Sequence, residues 1–198
     1  MKGVITDSNP PSIVLVNRIL KRSGLHVATQ ADLECVLRAG DPLGLRGHYE
    51  DTALVLRGES GPNSYLAKDI ADQIRKRGGD QLNFPVMVPL RYFELENDKG
   101  SKNGYGLRFK LSEDAEIVYA PILKNPGKFS SVDEKTGLPT ETGSKGSRTL
   151  YVEGSGLSWL LLSGGLDTYA YSRVQRESGL DGRVVVVRDG AERRHGKI

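Results

Sequence analysis

The residues with the clearest chemical potential lie late in the chain, at Ser163-Gly164-Gly165-Leu166-Asp167-Thr168. This segment follows the apolar run 159–162 and precedes a stretch that a helix can occupy. Glycines let backbone N–H groups approach a phosphate, hydroxyls add donors, and a helix N-terminus supplies positive potential. Residue types and spacing therefore indicate a phosphate-binding loop as one interpretation of this segment.

The 163–168 segment resembles the pyrophosphate loop of the ATP pyrophosphatase family, which has the form Ser-Gly-Gly-x-Asp-Ser/Thr between a strand and a helix. The resemblance implies a nucleotide-binding enzyme that uses ATP with Mg²⁺. It also implies that the pyrophosphate of ATP is cradled by Ser163, Gly164, Gly165, Asp167 and Thr168.

The same segment has a second interpretation as a β-hairpin. Residues 160–163 would form one strand, Gly164-Gly165 a two-residue turn, and residues 166–171 the returning strand. Tyr169 and Tyr171 would then share one face of the sheet. The Gly-Gly turn favours the hairpin, and the phosphate loop stays as the alternative.

A resemblance of a different kind covers residues 1–90, which are similar to a response-regulator receiver domain. Residues 4–7 match its first strand, and Asp7 would be one of its metal-binding carboxylates. Residues 52–57 match its third strand, which ends in the phosphorylated aspartate. Arg57 stands at that position, so the resemblance implies a receiver-like scaffold used for contacts and not for phosphotransfer.

The remaining reactive residues form no recognisable site. His26, His48 and His195 are scattered without metal-ligand spacing, so we predict no metal site and leave the catalytic residues unknown. Cys35 lies in an apolar helical pattern, which predicts a small buried side chain. The basic tail, with Arg193 and Arg194, could contact phosphates.

Helices and strands alternate over the first half of the chain. Strands are expected near 3–6, 25–28, 52–57 and 84–90, with helices between them that end near Gly24, Gly40 and Gly78. Such alternation favours a parallel sheet with right-handed crossovers. We therefore predict that residues 1–92 form a βαβ-type layered half with mostly parallel strands.

The hydrophobic period changes after residue 92. Short alternating or apolar runs predict strands, and the long segment 125–147 is rich in Gly, Ser, Thr and Pro, which predicts a loop. The runs are 105–111, 116–123, 149–153, 158–162 and 183–188. The predicted fold class is α/β, α+β overall, with a β-rich antiparallel half over 93–198. The two halves can share a sheet and count as one domain.

Composition excludes several classes of protein. The 198 residues carry a net charge of +3, which is too small to indicate a polyanion partner by itself. One cysteine excludes an intrachain disulfide. The chain has no apolar signal segment and no run long enough for a membrane span, so we predict a cytoplasmic protein without membrane contact.

The leading functional hypothesis is a non-enzymatic interaction module, either a regulatory or an assembly subunit, without a cofactor. No complete catalytic set can be assembled, whereas long loops and β edges suit contacts with a protein partner or with a second copy. The first alternative is a nucleotide-binding enzyme that holds ATP-Mg²⁺ at the 163–168 segment. The second is weak binding of nucleic acid through the basic tail.

Overall fold

A computed structural model describes residues 10–61, 63–78, 82–100, 107–171 and 182–188. Over these residues the chain forms three α-helices, two 3₁₀ turns and eleven strands. The helices are α1 (Pro10–Lys21), α2 (Gln30–Arg38) and α3 (Ser64–Gly78), and the 3₁₀ turns are Leu90–Tyr92 and Pro121–Lys124. The strands are β1 (Leu25–Val27), β2 (Glu50–Leu56), β3 (Val86–Pro89), β4 (Phe93–Asn97), β5 (Leu107–Leu111), β6 (Val118–Tyr119), β7 (Gly127–Phe129), β8 (Arg148–Val152), β9 (Leu157–Leu162), β10 (Thr168–Tyr171) and β11 (Val186–Arg188).

A curled mixed sheet of seven strands forms the centre of the fold, in the order β6-β3-β2-β9-β10-β8-β7. Neighbouring strands in it run antiparallel, except for the parallel pair β8 and β10. The edge strands β6 and β7 are consecutive in the chain and are joined through the 3₁₀ turn Pro121–Lys124. Two smaller antiparallel ladders, β1-β11 and β4-β5, complete the fold.

Both faces of the sheet are buried around β2. Its alternating side chains send Leu54 and Leu56 into one apolar cluster with α1, α3 and the β4-β5 ladder. Ala53 and Val55 enter a second cluster on the opposite face. That cluster also contains Leu123, which comes from the turn joining the two edge strands. A continuous apolar strand is expected where both faces of a sheet are covered.

The predicted parallel layering of the first half is not confirmed. Leu56, at the end of β2, pairs with Val86, at the start of β3, in an antiparallel ladder. The connection 57–85 therefore leaves and returns at the same end of the sheet. A helical segment between two strand segments predicts only that a helix packs on the sheet. The course of the chain before and after the helix decides whether the next strand is parallel or antiparallel to the first.

The predicted split into a parallel and an antiparallel half is not confirmed either. The parallel ladder β8-β10 belongs to the second half, and β2 of the first half pairs with β9 of the second. The fold is a mixed α/β arrangement that is rich in β structure. The strand predicted at 3–6 lies outside the described residues.

The predicted loop 125–147 carries more structure than its composition indicated. It contains β7, and Lys128 exchanges backbone hydrogen bonds with Gly143 at 2.8 and 2.9 Å. Leu138 is buried in the cluster of the second sheet face. In the part of the chain that the structure describes, no helix is long and apolar enough to cross a membrane.

Candidate functional site

The 163–168 segment is a turn between two antiparallel strands. Leu162 pairs with Thr168, and Ser163 and Asp167 close the loop through a 2.8 Å backbone hydrogen bond. Leu166 has a φ of 69°. Three-residue hairpin loops commonly contain a turn followed by one residue in this left-handed conformation. The loop is thus one residue longer than the predicted Gly-Gly turn. A strand, and not a helix N-terminus, begins at Thr168.

Ser163 and Asp167 of this turn bond to each other and to the neighbouring strand β8. Ser163 Oγ accepts a hydrogen bond from Asp167 N at 3.1 Å, and Asp167 Oδ1 accepts one from Thr149 N at 2.6 Å. Gly164 packs so closely that an added Cβ would lie 3.0 Å from the carbonyl carbon of Gly47. The structure therefore brings Ser163, Gly164, Gly165, Asp167 and Thr168 together. The hydrogen bonds of Ser163 Oγ and Asp167 Oδ1 stabilise the hairpin and its contact with β8.

A buried polar network lies beside this turn. Arg148 donates to both carboxylate oxygens of Glu34, at 2.6 and 2.7 Å, and also to the carbonyl of Leu166. Gln30 donates to Glu34 at 3.2 Å and accepts from the Thr52 hydroxyl at 3.0 Å. The network joins α2 to the sheet. A buried carboxylate needs such partners to offset its desolvation.

A second buried ion pair joins Glu50 of β2 to Arg183. Burial raises the pKa of Glu50 to about 7, although the hydrogen bond and charge of Arg183 lower it. The backbone N–H of Arg183 also donates to the carbonyl of Tyr49 at 3.2 Å. This pair therefore anchors the last described segment, 182–188, to the central sheet.

Open space with convergent polar groups occurs around Arg91. One cavity, of about 210 Å³, is lined by Lys21, His26, Arg91, Tyr92 and Asp114. Arg91 also lines a neighbouring cavity of about 240 Å³. We name the two cavities together the Arg91 cleft, and separately the Lys21 cavity and the Met87 cavity, after a residue that lines each of them.

The backbone of Arg91 is fixed by a buried amide from α1. Asn17 is 1% exposed, and its Nδ2 donates to the carbonyl of Arg91 at 2.8 Å. Its Oδ1 accepts from the backbone N–H of Val27 at 3.0 Å. One side chain therefore sets the positions of the 3₁₀ turn that carries Arg91 and of the strand that carries His26.

The guanidinium of Arg91 is oriented as well. It lies 3.0 Å from His26 Nε2 and donates to the Tyr92 hydroxyl at 2.8 Å. Since arginine has no acceptor, His26 Nε2 must accept and the ring proton belongs on Nδ1. The Tyr92 hydroxyl in turn donates to Glu116 at 3.4 Å. The cation is held in place by the protein alone.

The Met87 cavity has an apolar floor and a polar rim. Ala53 and Met87 belong to the buried cluster of the second sheet face. The other lining residues are Thr29, Gln30, Ala31, Asp32, Pro89, Arg91, Glu116, Val118, Lys135 and Thr136. An apolar group in this cavity would leave water while its polar neighbours stay at the surface, as in ligand pockets generally.

One wall of the Met87 cavity depends on a glycine. Gly137 has a φ of +71°, and an added Cβ would lie 2.5 Å from the backbone nitrogen of Ala31. Only glycine lets the 133–139 loop approach the first turn of α2 this closely. That turn is closed by a capping box, in which Thr29 and Asp32 bond each other's backbone N–H groups at 2.9 and 3.2 Å.

The other reactive residues lie only partly within the ranges that the structure describes. Cys35 is exposed, so the prediction of a buried cysteine is wrong. The buried face of α2 instead contains Gln30 and Glu34, because the sheet supplies polar partners for them. Within the described ranges no three His, Cys, Asp or Glu side chains are grouped to hold a metal ion. His195 and the basic tail lie outside these ranges.

Comparison with known proteins gives no relative. No protein-family model, curated protein or solved structure matches this chain. Sequence reasoning also missed the Arg91 cleft, since its residues come from separate elements and form no motif. The one local signal was Asn17, a polar residue between apolar positions of α1.

Proposed function

We propose that this chain is a non-enzymatic interaction module, a regulatory or assembly subunit, that binds a segment of a partner protein in the Arg91 cleft. The supporting observation is an open cleft whose central guanidinium is already held by His26 and Tyr92. A site that is ordered before binding loses less entropy when the ligand arrives.

The hydrogen bonding of the cleft favours binding over proton transfer. A general base needs an available lone pair within reach of the substrate. The Nε2 lone pair of His26 is directed at Arg91, and the Tyr92 hydroxyl donates to Glu116. These groups orient one another, which supports a recognition site.

Strand addition, the other common mode of peptide recognition, is disfavoured where the chain covers its own edges. On β5 the side chain of Gln73 bonds backbone groups that an added strand would otherwise bond. It donates to the carbonyl of Phe109 at 2.9 Å and accepts from the N–H of Leu111 at 2.8 Å. Arg77 donates to the carbonyl of Leu111 at 2.6 Å. On β7, Lys128 pairs with Gly143 of its own loop. At these two edges, strand addition is therefore disfavoured relative to binding in the cleft.

Selection of peptides from a random display library on the immobilised full chain tests this proposal. We expect enriched peptides to bind the wild type and to lose binding about tenfold or more in Arg91→Gln and in Lys21→Gln. Arg38→Gln is the charge-matched control, since Arg38 is an exposed cation at the end of α2. Failure to enrich any peptide, or equal binding to the Arg91 and Arg38 variants, would overturn the proposal. Unfolding curves check that each variant folds.

The two alternatives have separate tests. Titration of ATP-Mg²⁺ by calorimetry against the wild type and Asp167→Ala decides nucleotide binding at the 163–168 segment, and no heat in the wild type would reject it. Weak nucleic-acid binding predicts a salt-sensitive affinity that is lost on deletion of residues 189–198. Light scattering of the purified chain tests self-association.

A further inference from the structure

We infer that the segment bound in the Arg91 cleft is extended and carries an acidic side chain two residues away from an apolar one. The acidic side chain would enter the Lys21 cavity and the apolar side chain the Met87 cavity. This inference rests on the proposed function of the cleft and adds the chemistry of the partner.

The charge of the Lys21 cavity favours an anion. Lys21 and Arg91 are cations, Asp114 is the one carboxylate among the lining residues, and His26 is neutral when its Nε2 accepts from Arg91. A hydrogen bond with Ser112 and the charges of Lys21 and Arg91 lower the pKa of Asp114. With Asp114 ionised, the cavity keeps one net positive charge.

The hydrogen-bonding capacity of Arg91 points to a carboxylate. A guanidinium has five N–H donors in a planar fork. Its contacts with described side chains use two of them, one to His26 and one to Tyr92. The remaining N–H donors and the Lys21 ammonium can donate hydrogen bonds to both oxygens of an acidic side chain.

The Met87 cavity favours an apolar neighbour for that acid. Its floor is formed by Ala53 and Met87, with Pro89 and Val118 beside them. Its charged lining residues balance, since Arg91 and Lys135 oppose Asp32 and Glu116. An apolar side chain would therefore bind in the Met87 cavity more favourably than a charged one.

The spacing follows from the shared arginine. Both cavities are lined by Arg91, so they adjoin each other, and the two side chains that enter them must lie close together in the bound segment. In an extended segment, residues i and i+2 point to the same face and lie about 7 Å apart. The residue between them points away from the cleft and is not selected.

The inference is tested with capped pentapeptides in which the remaining positions are glycine. They are titrated into the isotope-labelled full chain, and NMR measures their affinity. The reference peptide carries Glu and Leu two residues apart; the others replace Glu by Lys, replace Leu by Asn, or place Glu and Leu side by side. We expect the reference to bind about tenfold tighter than the Lys peptide, and tighter than the other two.

Matched variants assign each preference to its cavity. Lys21→Glu should reverse the choice between the Glu and Lys peptides, whereas Arg38→Glu should leave it unchanged. Val118→Lys should remove the choice between Leu and Asn but keep the choice between Glu and Lys. Lys21 and Arg38 are exposed and Val118 is half-buried, so these changes spare the fully buried core.

The outcomes separate this inference from the proposed function. Equal binding of the Glu and Lys peptides, with shifts at the cleft, would overturn the acidic preference and leave the module standing. Tighter binding of the side-by-side peptide would overturn the spacing. If no test peptide and no library peptide binds, both proposals are overturned.

Discussion

Glu50 gives the folding stability a pH dependence opposite to that of a carboxylate in a favourable ion pair. Its side chain is 4% exposed beside Arg183, and burial raises its pKa from 4.5 to about 7. The folded state therefore holds the proton more tightly than the unfolded chain does. The stability from this proton is fully present below pH 4.5 and is lost as the pH rises through about 7.

The size of the effect follows from the shift. One pKa unit corresponds to about 1.4 kcal/mol, so Glu50 should cost about 3 kcal/mol of unfolding free energy across this window. Glu50→Gln removes the titration. Urea unfolding of both proteins between about pH 4.5 and pH 8 gives the difference in their unfolding free energies at each pH. That difference should change by about 3 kcal/mol in favour of the variant as the pH rises. Parallel profiles would refute the reasoning, and Glu113→Gln, at an exposed site, is the control.

Two further perturbations test contacts that join distant segments. Arg148→Met should cost about 3–5 kcal/mol in urea unfolding because it leaves Glu34 buried without its cation, and adding Glu34→Gln should recover part of this; a loss below about 1 kcal/mol would contradict this account. Gln73→Leu removes the partners of the Phe109 carbonyl and the Leu111 N–H. This substitution should lower the unfolding free energy by about 1–3 kcal/mol. It should also cause concentration-dependent association through the uncovered β5 edge, measured by light scattering. A variant that stays monomeric and as stable as the wild type would contradict this account.

Elements with local signals were predictable from the sequence. Leu66, Ile70 and Ile74 lie four residues apart in the sequence, a spacing that predicts one apolar helical face, and all three are buried in α3. Thr29 and Asp32, three residues apart, have the residue types of a helix N-terminus, and they form the capping box that begins α2. These signals depend on residues within one or two turns of each other, so they need no knowledge of the rest of the chain.

The arrangement of the strands was not predictable in the same way. β2 pairs with β9, about a hundred residues further along, and also with β3 in the direction opposite to the prediction. The short apolar run of β2 fits a parallel or an antiparallel neighbour equally well, since both of its faces are buried. Only the pairing partners decide between them.

The candidate site was unpredictable for the same reason, because its residues are brought together only by the fold. The 163–168 segment attracted attention because glycine, hydroxyl and carboxylate suit a phosphate, yet the same residue types suit a tight hairpin. No sequence motif indicated Arg91, because its partners His26 and Asn17 are remote in sequence. Asn17 was nonetheless a usable signal. Burying an amide between apolar neighbours costs stability unless both ends are bonded, so such a residue indicates that the fold holds specific backbone groups there. Those groups are the carbonyl of Arg91 and the N–H of Val27, so Asn17 fixes the positions of two elements that line the Lys21 cavity.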